Sequence, residues 1–286
     1  TDYTKLINEL KPQFLCIATR TKGRTDIIKY ACENGVKILY FEKPICNSIS
    51  EGRQALAVAS ERNVVVGYGV NRRYHTAYRK AREILRSGEL GKIEHICVEH
   101  NSTNLLWAHP HSVDIILFFI ESCELEYIQG NCTYIDDYKP SNYMLIDNDP
   151  IVNHAFFKFK NGITASISPT RGLNTRITCE KGILTVYSDG TWLEINDINK
   201  TGYINNGRII NIDISLSATV NAFSELIEIS SGNSIIEKPI TNEEIIAGLI
   251  MLNGLTFSAL NGGVMIKAED VPEEMVVTGK MGSWYA

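Results

Sequence analysis

Phe14-Leu-Cys-Ile-Ala-Thr19, Val36-Lys-Ile-Leu-Tyr-Phe41 followed by Glu42-Lys43-Pro44, and Val64-Val-Val-Gly-Tyr-Gly-Val70 decide how this chain is read. Each is a short apolar run rich in β-branched and aromatic residues, the pattern of a strand buried on both faces. Between them lie two helical stretches. Thr25 to Asn34 places Ile27, Ile28, Tyr30 and Ala31 at helical spacing and stops at Gly35; Ser48 to Arg62 forms the second. Strands separated by helices of this length imply parallel βαβ units with right-handed crossovers.

Downstream of Arg73 the grammar changes. Ala77 to Ser87 reads as an amphipathic helix closed by Gly88, Lys92 to Glu99 as a strand, and Pro110 to Ile120 as a short apolar helix. From about Tyr127 the signals are mainly β. Ala155-Phe-Phe-Lys-Phe-Lys160, Asn161-Gly162 and Ile163 to Ser168 read as a hairpin with a type I′ turn, and Ile183 to Ser188, Asp189-Gly190 and Thr191 to Asn196 repeat the pattern. Ser217 to Ser230 and Glu243 to Asn261 are expected helices. The fold class is therefore α/β: a partial Rossmann-type sheet of parallel strands over residues 1–72, then an α/β region with a large, mainly antiparallel sheet over residues 73–286.

The 286 residues exceed what one small core usually organises, which fits two domains. Hydrophobic residues make up 44% and charged residues 21%, values that exclude a disordered or collagenous chain. A net charge of −5 gives no pull toward nucleic acid or anionic membrane. The longest apolar run, near Ile115–Ile120, is far short of the roughly 20 residues a bilayer requires. The opening residues lack a basic stretch followed by an apolar one, so a cytoplasmic protein is expected. Seven scattered cysteines without a Cys-x-x-Cys pair suggest reduced, mostly buried thiols.

Two motifs point to chemistry. Lys43 follows a parallel strand, and open α/β sheets bind ligands outside those strand ends. Most strand-end lysines are merely solvated, but an ammonium there can also stabilise a developing alkoxide. The second motif is Trp107-Ala-His109-Pro110-His111-Ser-Val-Asp114. Pro110 suits the opening of a helix, which would put His111 in or near its first turn, with Asp114 three residues on, able to share a face with it and orient the ring. A histidine titrates near neutrality and can pass a proton both ways. The competing reading has Asp114 complementing the helix dipole and the histidines filling core or surface. A metal at His109 and His111 lacks a third ligand of suitable spacing, so none is expected.

Ile17-Ala-Thr19, Glu42-Lys43-Pro44, Gly67-Tyr-Gly-Val-Asn-Arg-Arg73, Tyr78 to Lys92 and His111-x-x-Asp114 fall in the order found in the Gfo/Idh/MocA family, the glucose–fructose oxidoreductase and inositol dehydrogenase-like enzymes, which this sequence resembles. The resemblance implies a Rossmann domain, a second α/β domain, and hydride transfer between NAD or NADP and a hydroxyl of a sugar, polyol or nucleotide sugar. By position, Lys43 and His111 match the family's catalytic pair. The cofactor would be lined by Ala18, Thr19, Arg20, Glu42, Lys43 and Pro44, and the substrate by Arg72, Tyr74, Trp107, His109 and Asp114. Partners would be a sugar-like small molecule and further copies of the chain, as a homodimer or homotetramer, with neither nucleic acid nor membrane.

Two departures stand out. The sequence contains no G-x-G-x-x-G before the Thr19 strand; at roughly 30 residues per βαβ unit, about 60 residues bearing the phosphate loop and ribose-reading acid are expected upstream in a longer protein. Trp107 stands where many dehydrogenases of the family have an aspartate, which it replaces with an indole able to stack on a sugar ring. The alternative reading these departures raise is a non-catalytic relative that senses a sugar ligand or regulates.

Overall fold

A computed structural model describes residues 2–134, 144–213, 216–233 and 239–278. The chain opens with α1 (Tyr3–Leu10), whose first amides are capped by Asp2. It then alternates β1 (Phe14–Ile17), α2 (Arg24–Glu33), β2 (Ile38–Phe41), α3 (Ile49–Glu61) and β3 (Val65–Tyr68). The three strands form one parallel sheet in the order β1-β2-β3. All four residues of the central strand β2 are buried, as its unbroken apolar run requires. Ser48 caps α3 by accepting the Glu51 amide.

A single 3₁₀ turn, Asn71–Tyr74, leads into α4 (Thr76–Arg86) and β4 (Ile93–Glu99). Next come β5 (Thr103–Asn104), α5 (Leu105–Ile120), β6 (Leu125–Thr133), β7 (Leu145–Ile146), β8 (Ile151–Phe159), β9 (Thr164–Ser168), β10 (Asn174–Cys179), β11 (Gly182–Tyr187), β12 (Trp192–Ile198) and β13 (Ile204–Asn211). The chain continues through α6 (Ala218–Ser230), α7 (Asn242–Leu260), β14 (Ile266–Lys267) and β15 (Val276–Val277). The large sheet runs β13-β12-β11-β10-β4-β9-β8-β6-β14, with β5 added beside β8. Its pairings are antiparallel except β4 with β9. Phe157 and Phe159 are fully buried under the helices, whereas Phe156 lies on the opposite face.

The hairpins form as expected, with different turn chemistry. Between β8 and β9 the loop is closed by Gly162 N–H to Phe159 O and Phe159 N–H to Ile163 O, both 2.9 Å, and Gly162, not Asn161, takes the left-handed conformation. That is a three-residue loop with a left-handed glycine, not a type I′ turn. Between β11 and β12 the left-handed residues are Ser188, Asp189 and Gly190, so the reversal begins one residue before the Asp-Gly pair.

Helix α6 crosses back to the parallel sheet. Ala218, Ala222 and Leu226 bury against Ile38, Tyr40 and Tyr74. A Cβ on Gly67 would lie 2.4 Å from Leu226 Cδ1, so the bare backbone of β3 is what admits this helix. Helix α7 is capped by the reciprocal Thr241–Glu244 box. It is the one described helix long and apolar enough to span a bilayer by length and composition, and 61% of its apolar window is buried inside the fold.

Candidate active site

Lys43 follows β2 by two residues, and the Lys43–Pro44 bond is cis. The loop is held by Arg24, whose buried guanidinium donates to the carbonyls of Thr19, Glu42 and Pro44. One side chain thus ties the loop after β1 to the loop after β2. From this loop the Lys43 ammonium reaches α5, donating to the Trp107 carbonyl and sitting 4.3 Å from the centre of its ring.

Helix α5 does not begin at Pro110. It starts at Leu105, and Pro110 is its sixth residue. The amides of Leu105 and Leu106 are satisfied from outside, by the Pro150 carbonyl and the Asp149 carboxylate, both at 2.8 Å. With its first turn capped by Asp149, the helix extends upstream of the proline, and His111 lies in its second turn instead of its first. Trp107 and His111 are four residues apart and share a face. Lys43 and His111, 68 positions apart in sequence, therefore converge on one helix face, a turn from each other.

Burial holds the His111 ring well below its ordinary range, and Arg72, Lys43 and His100 act in the same direction. Its Nδ1 is buried without a hydrogen-bond partner, and the residue lines a cleft. Burial likewise lowers the Lys43 ammonium, against the opposing pull of Glu42 and Asp149. The cleft beside His111 is narrow, about 10 Å³ or room for one water, and is lined by Arg72, Tyr78, Glu99, His100, Asn174 and Asp189 among others.

Three residues expected at the substrate lie elsewhere. Tyr74 is 2% exposed and sits in the core beneath α6. Asp114 does not orient His111: it is buried against Arg73, with Nε to Oδ1 at 2.9 Å and Nη2 to Oδ1 at 2.5 Å. Burial pushes its carboxyl above its ordinary range, against the pull of Arg73. His109 is fully buried and meets the Ser112 hydroxyl at 3.2 Å. The same hydroxyl lies 3.1 Å from His100 Nδ1, so one serine bridges the two rings. Asp114 faces away because i+3 spacing allows contact without requiring it, and a buried arginine competes for the carboxylate. Arg72 lines the cleft beside His111, and Trp107 packs against the Lys43 ammonium. Arg24, Asp189, His100 and Ser112 carry no local sequence signal that would have singled them out.

Burial lowers His100 to about 4 and His109 to about 3, from an ordinary 6.5. In the unfolded chain both rings take up protons below about pH 6.5, whereas in the fold they stay neutral, so stability falls as pH drops from 6.5 toward 4 and then 3. Thermal melts across that range should show this slope, and His109→Gln should flatten it. An unchanged slope in the variant would assign acid sensitivity to other groups.

Trp107 supplies Lys43 with a π-face where a carboxylate would supply a charge. Cation–π contacts are worth about 0.5–2 kcal/mol, so Trp107→Ala should lower turnover by roughly 2- to 30-fold while Trp107→Phe retains most of it. Because the ring favours the charged amine, the alkaline limb of the rate profile should also move to lower pH in Trp107→Ala. A static alkaline limb would mean that the indole does not tune Lys43.

Residues 1–70 match the family model of the Gfo/Idh/MocA oxidoreductases with an NAD-binding Rossmann fold. The chain is 37% identical over 76 residues to scyllo-inositol 2-dehydrogenase (NAD(+)) of Bacillus subtilis, covering 27% of this chain and 22% of that enzyme. The matched stretch spans about a quarter of the length of such curated relatives. Among solved structures, an oxidoreductase from Pseudomonas syringae superposes with a TM-score of 0.76 at 15% identity, covering 93% of this chain and 83% of that one. Levoglucosan dehydrogenase in complex with NADH and levoglucosan superposes with a TM-score of 0.74 at 13% identity, covering 95% and 83%. These structural likenesses establish a shared fold.

Proposed function

Because the chain belongs to the Gfo/Idh/MocA oxidoreductase family, we propose that it transfers hydride between NAD or NADP and a hydroxyl of a sugar or polyol. The observation that carries this reading is the meeting of Lys43 and His111 on one face of α5 at the carboxyl end of the parallel sheet. The residues at that end fit the nicotinamide half of the cofactor: Arg24 ties the two strand-end loops together beside Lys43, and His111 Nδ1 is a buried polar atom without a partner. Thr19, Arg20, Glu42, Lys43 and Pro44 would hold that half. When bound, a nicotinamide supplies the two-electron acceptor.

The chain's own groups do the rest. His111 is neutral because burial and two nearby cations oppose its charge, so its ring is free to accept the hydroxyl proton as the carbinol becomes a carbonyl. The resulting imidazolium lies near Lys43 and Arg72, which favours its rapid deprotonation. Lys43 donates to the same oxygen and offsets the negative charge that grows on it. Half-exposed Trp107 offers an indole face for stacking a sugar ring. The related scyllo-inositol and levoglucosan dehydrogenases are enzymes of this chemistry by name. On this reading residues 1–72 serve the cofactor and 73–286 the substrate and subunit contacts, with a homodimer or homotetramer formed through the open face of the large sheet, in the cytoplasm.

The test is reduced-nicotinamide absorbance on mixing the protein with NAD⁺ or NADP⁺ and a panel of cyclitols, aldoses and anhydrosugars. Nicotinamide-dependent turnover of one of them is the expected result. Ligand binding with no turnover in either direction would instead support a non-catalytic sensor. Light scattering should give a mass of two or four chains; a single-chain mass at micromolar concentration would remove the assembly.

A further inference from the structure

The Lys43 ammonium ends in an unfavourable place. It donates to the carbonyl of Trp107, the third residue of α5, and so sits at the end of the helix where the backbone dipole is positive. Cations are disfavoured there. Arg72 and Arg24 repel the ammonium further, and it lies close enough to His111 to oppose that ring's protonation. The indole beneath it offers a π-face and no net charge.

Two carboxylates pull the other way. Glu42, on the same loop, exerts the larger effect, but it is half-buried and water screens part of its charge. Asp149 comes from the segment before β8 and is 1% exposed.

That segment is built into the start of α5. The N-cap residue, Asn104, makes no cap bond with its own side chain; its amide donates instead to the Asp149 carbonyl at 2.8 Å. The Pro150 carbonyl accepts the Leu105 amide, and Asp149 Oδ1 accepts the Leu106 amide. Asp149 is therefore bonded to the residue just before the one that receives Lys43, and both charges are fixed on a single helical turn. The carboxylate satisfies an amide that the helix itself cannot, and it opposes the dipole at the same point. It also faces Cys132 of β6, a thiol that burial and this carboxylate both push up.

We propose that Asp149 is a positioning residue for Lys43: it fixes the turn of α5 that receives the ammonium and supplies the buried negative charge that stabilises a cation at a helix N-terminus. Its consequence for turnover rests on reading Lys43 as the group that meets the developing alkoxide; its effect on the lysine does not.

The test is competitive labelling of the full chain with trace acetic anhydride across pH, followed by mass spectrometry. It reads the midpoint at which Lys43 loses its proton and needs no turnover. Asp149→Asn keeps a cap oxygen and removes the charge, so it should lower that midpoint by about one pH unit while the melting temperature stays within about 2 °C of wild type. Asp149→Ala removes cap and charge together. It should lower the midpoint at least as far and the melting temperature by roughly 2–8 °C. Asp149→Ser also keeps a cap oxygen and replaces Asp149→Asn if that variant does not fold. An unchanged Lys43 midpoint overturns the proposal. So does failure of both the Asn and Ser variants to fold, which would make the carboxylate a structural cap alone. In a protein that turns over, the alkaline limb of kcat should follow the midpoint, and a limb that stays put overturns the role in the reaction. A midpoint that shifts as expected in a protein without nicotinamide-dependent turnover supports the positioning role and removes the oxidoreductase reading alone.

Discussion

His111→Ala should lower turnover by about 10²- to 10⁴-fold, the usual worth of a positioned general base, while nicotinamide affinity changes little. The ring sits in the second turn of α5, on the face that Trp107 and Lys43 share, and its unpartnered Nδ1 is buried. Its removal takes away the proton acceptor without touching the strand-end loops that would hold the cofactor. His111→Asn should fall in the same range, since an amide of similar width has no comparable basicity. Lys43→Met should be of similar size, about 10²- to 10³-fold, if the ammonium acts on the oxygen as charge develops. The double variant should cost less than the product of the two, because both groups address one oxygen. Wild-type turnover in His111→Ala would end the mechanism and leave the fold assignment standing.

The parts of this molecule legible in the sequence are those governed by local period. β1, β2 and β3 lie inside the three apolar runs, and α2 and α3 lie within a residue of the expected bounds. Lys43 was legible because a strand end is a place in a fold as well as in a sequence. What escaped depends on partners far along the chain. Pro110 reads locally as a helix opener, yet α5 begins five residues earlier because Asp149, 43 positions away, caps it. Arg24 looks like an ordinary helix-start residue, and only the fold directs it at three carbonyls from two strand ends. Asp189 reads as half of a turn dipeptide, and the close approach of the hairpin to Arg72 makes it part of the site. Helix α6 has a plain amphipathic pattern that gives no hint it will cover the first sheet instead of the second.

Asp114 illustrates the same limit and carries the largest expected effect on stability. Its carboxylate meets the Arg73 guanidinium with both side chains 4% exposed, and Arg73 also reaches Glu244 at 3.2 Å. The guanidinium comes from the 3₁₀ turn after β3, Asp114 from α5 and Glu244 from the first turn of α7, so one ion cluster fixes three elements around the cleft. Burial works against Arg73's charge, but Asp114 and Glu244 outweigh it and hold the guanidinium above its ordinary range. Breaking such a pair strands a buried charge and costs about 3–5 kcal/mol. At roughly 2–4 °C per kcal/mol for a chain of this size, Asp114→Ala should lower the melting temperature by about 6–20 °C. Arg73→Met should be at least as damaging, since it leaves Asp114 buried without its cation. Asp114→Leu combined with Arg73→Met should recover much of the loss, because an apolar pair of similar volume avoids the desolvation that the ions incur. Additive losses in the double variant would show that each side chain matters through other contacts. The acid limb of the activity profile separates this structural role from the orienting role that the His111-x-x-Asp114 spacing suggests. Asp114→Asn should leave that limb where it is, since Asp114 bonds to Arg73 and not to the ring, and a shift of the limb would return the aspartate to the catalytic machinery.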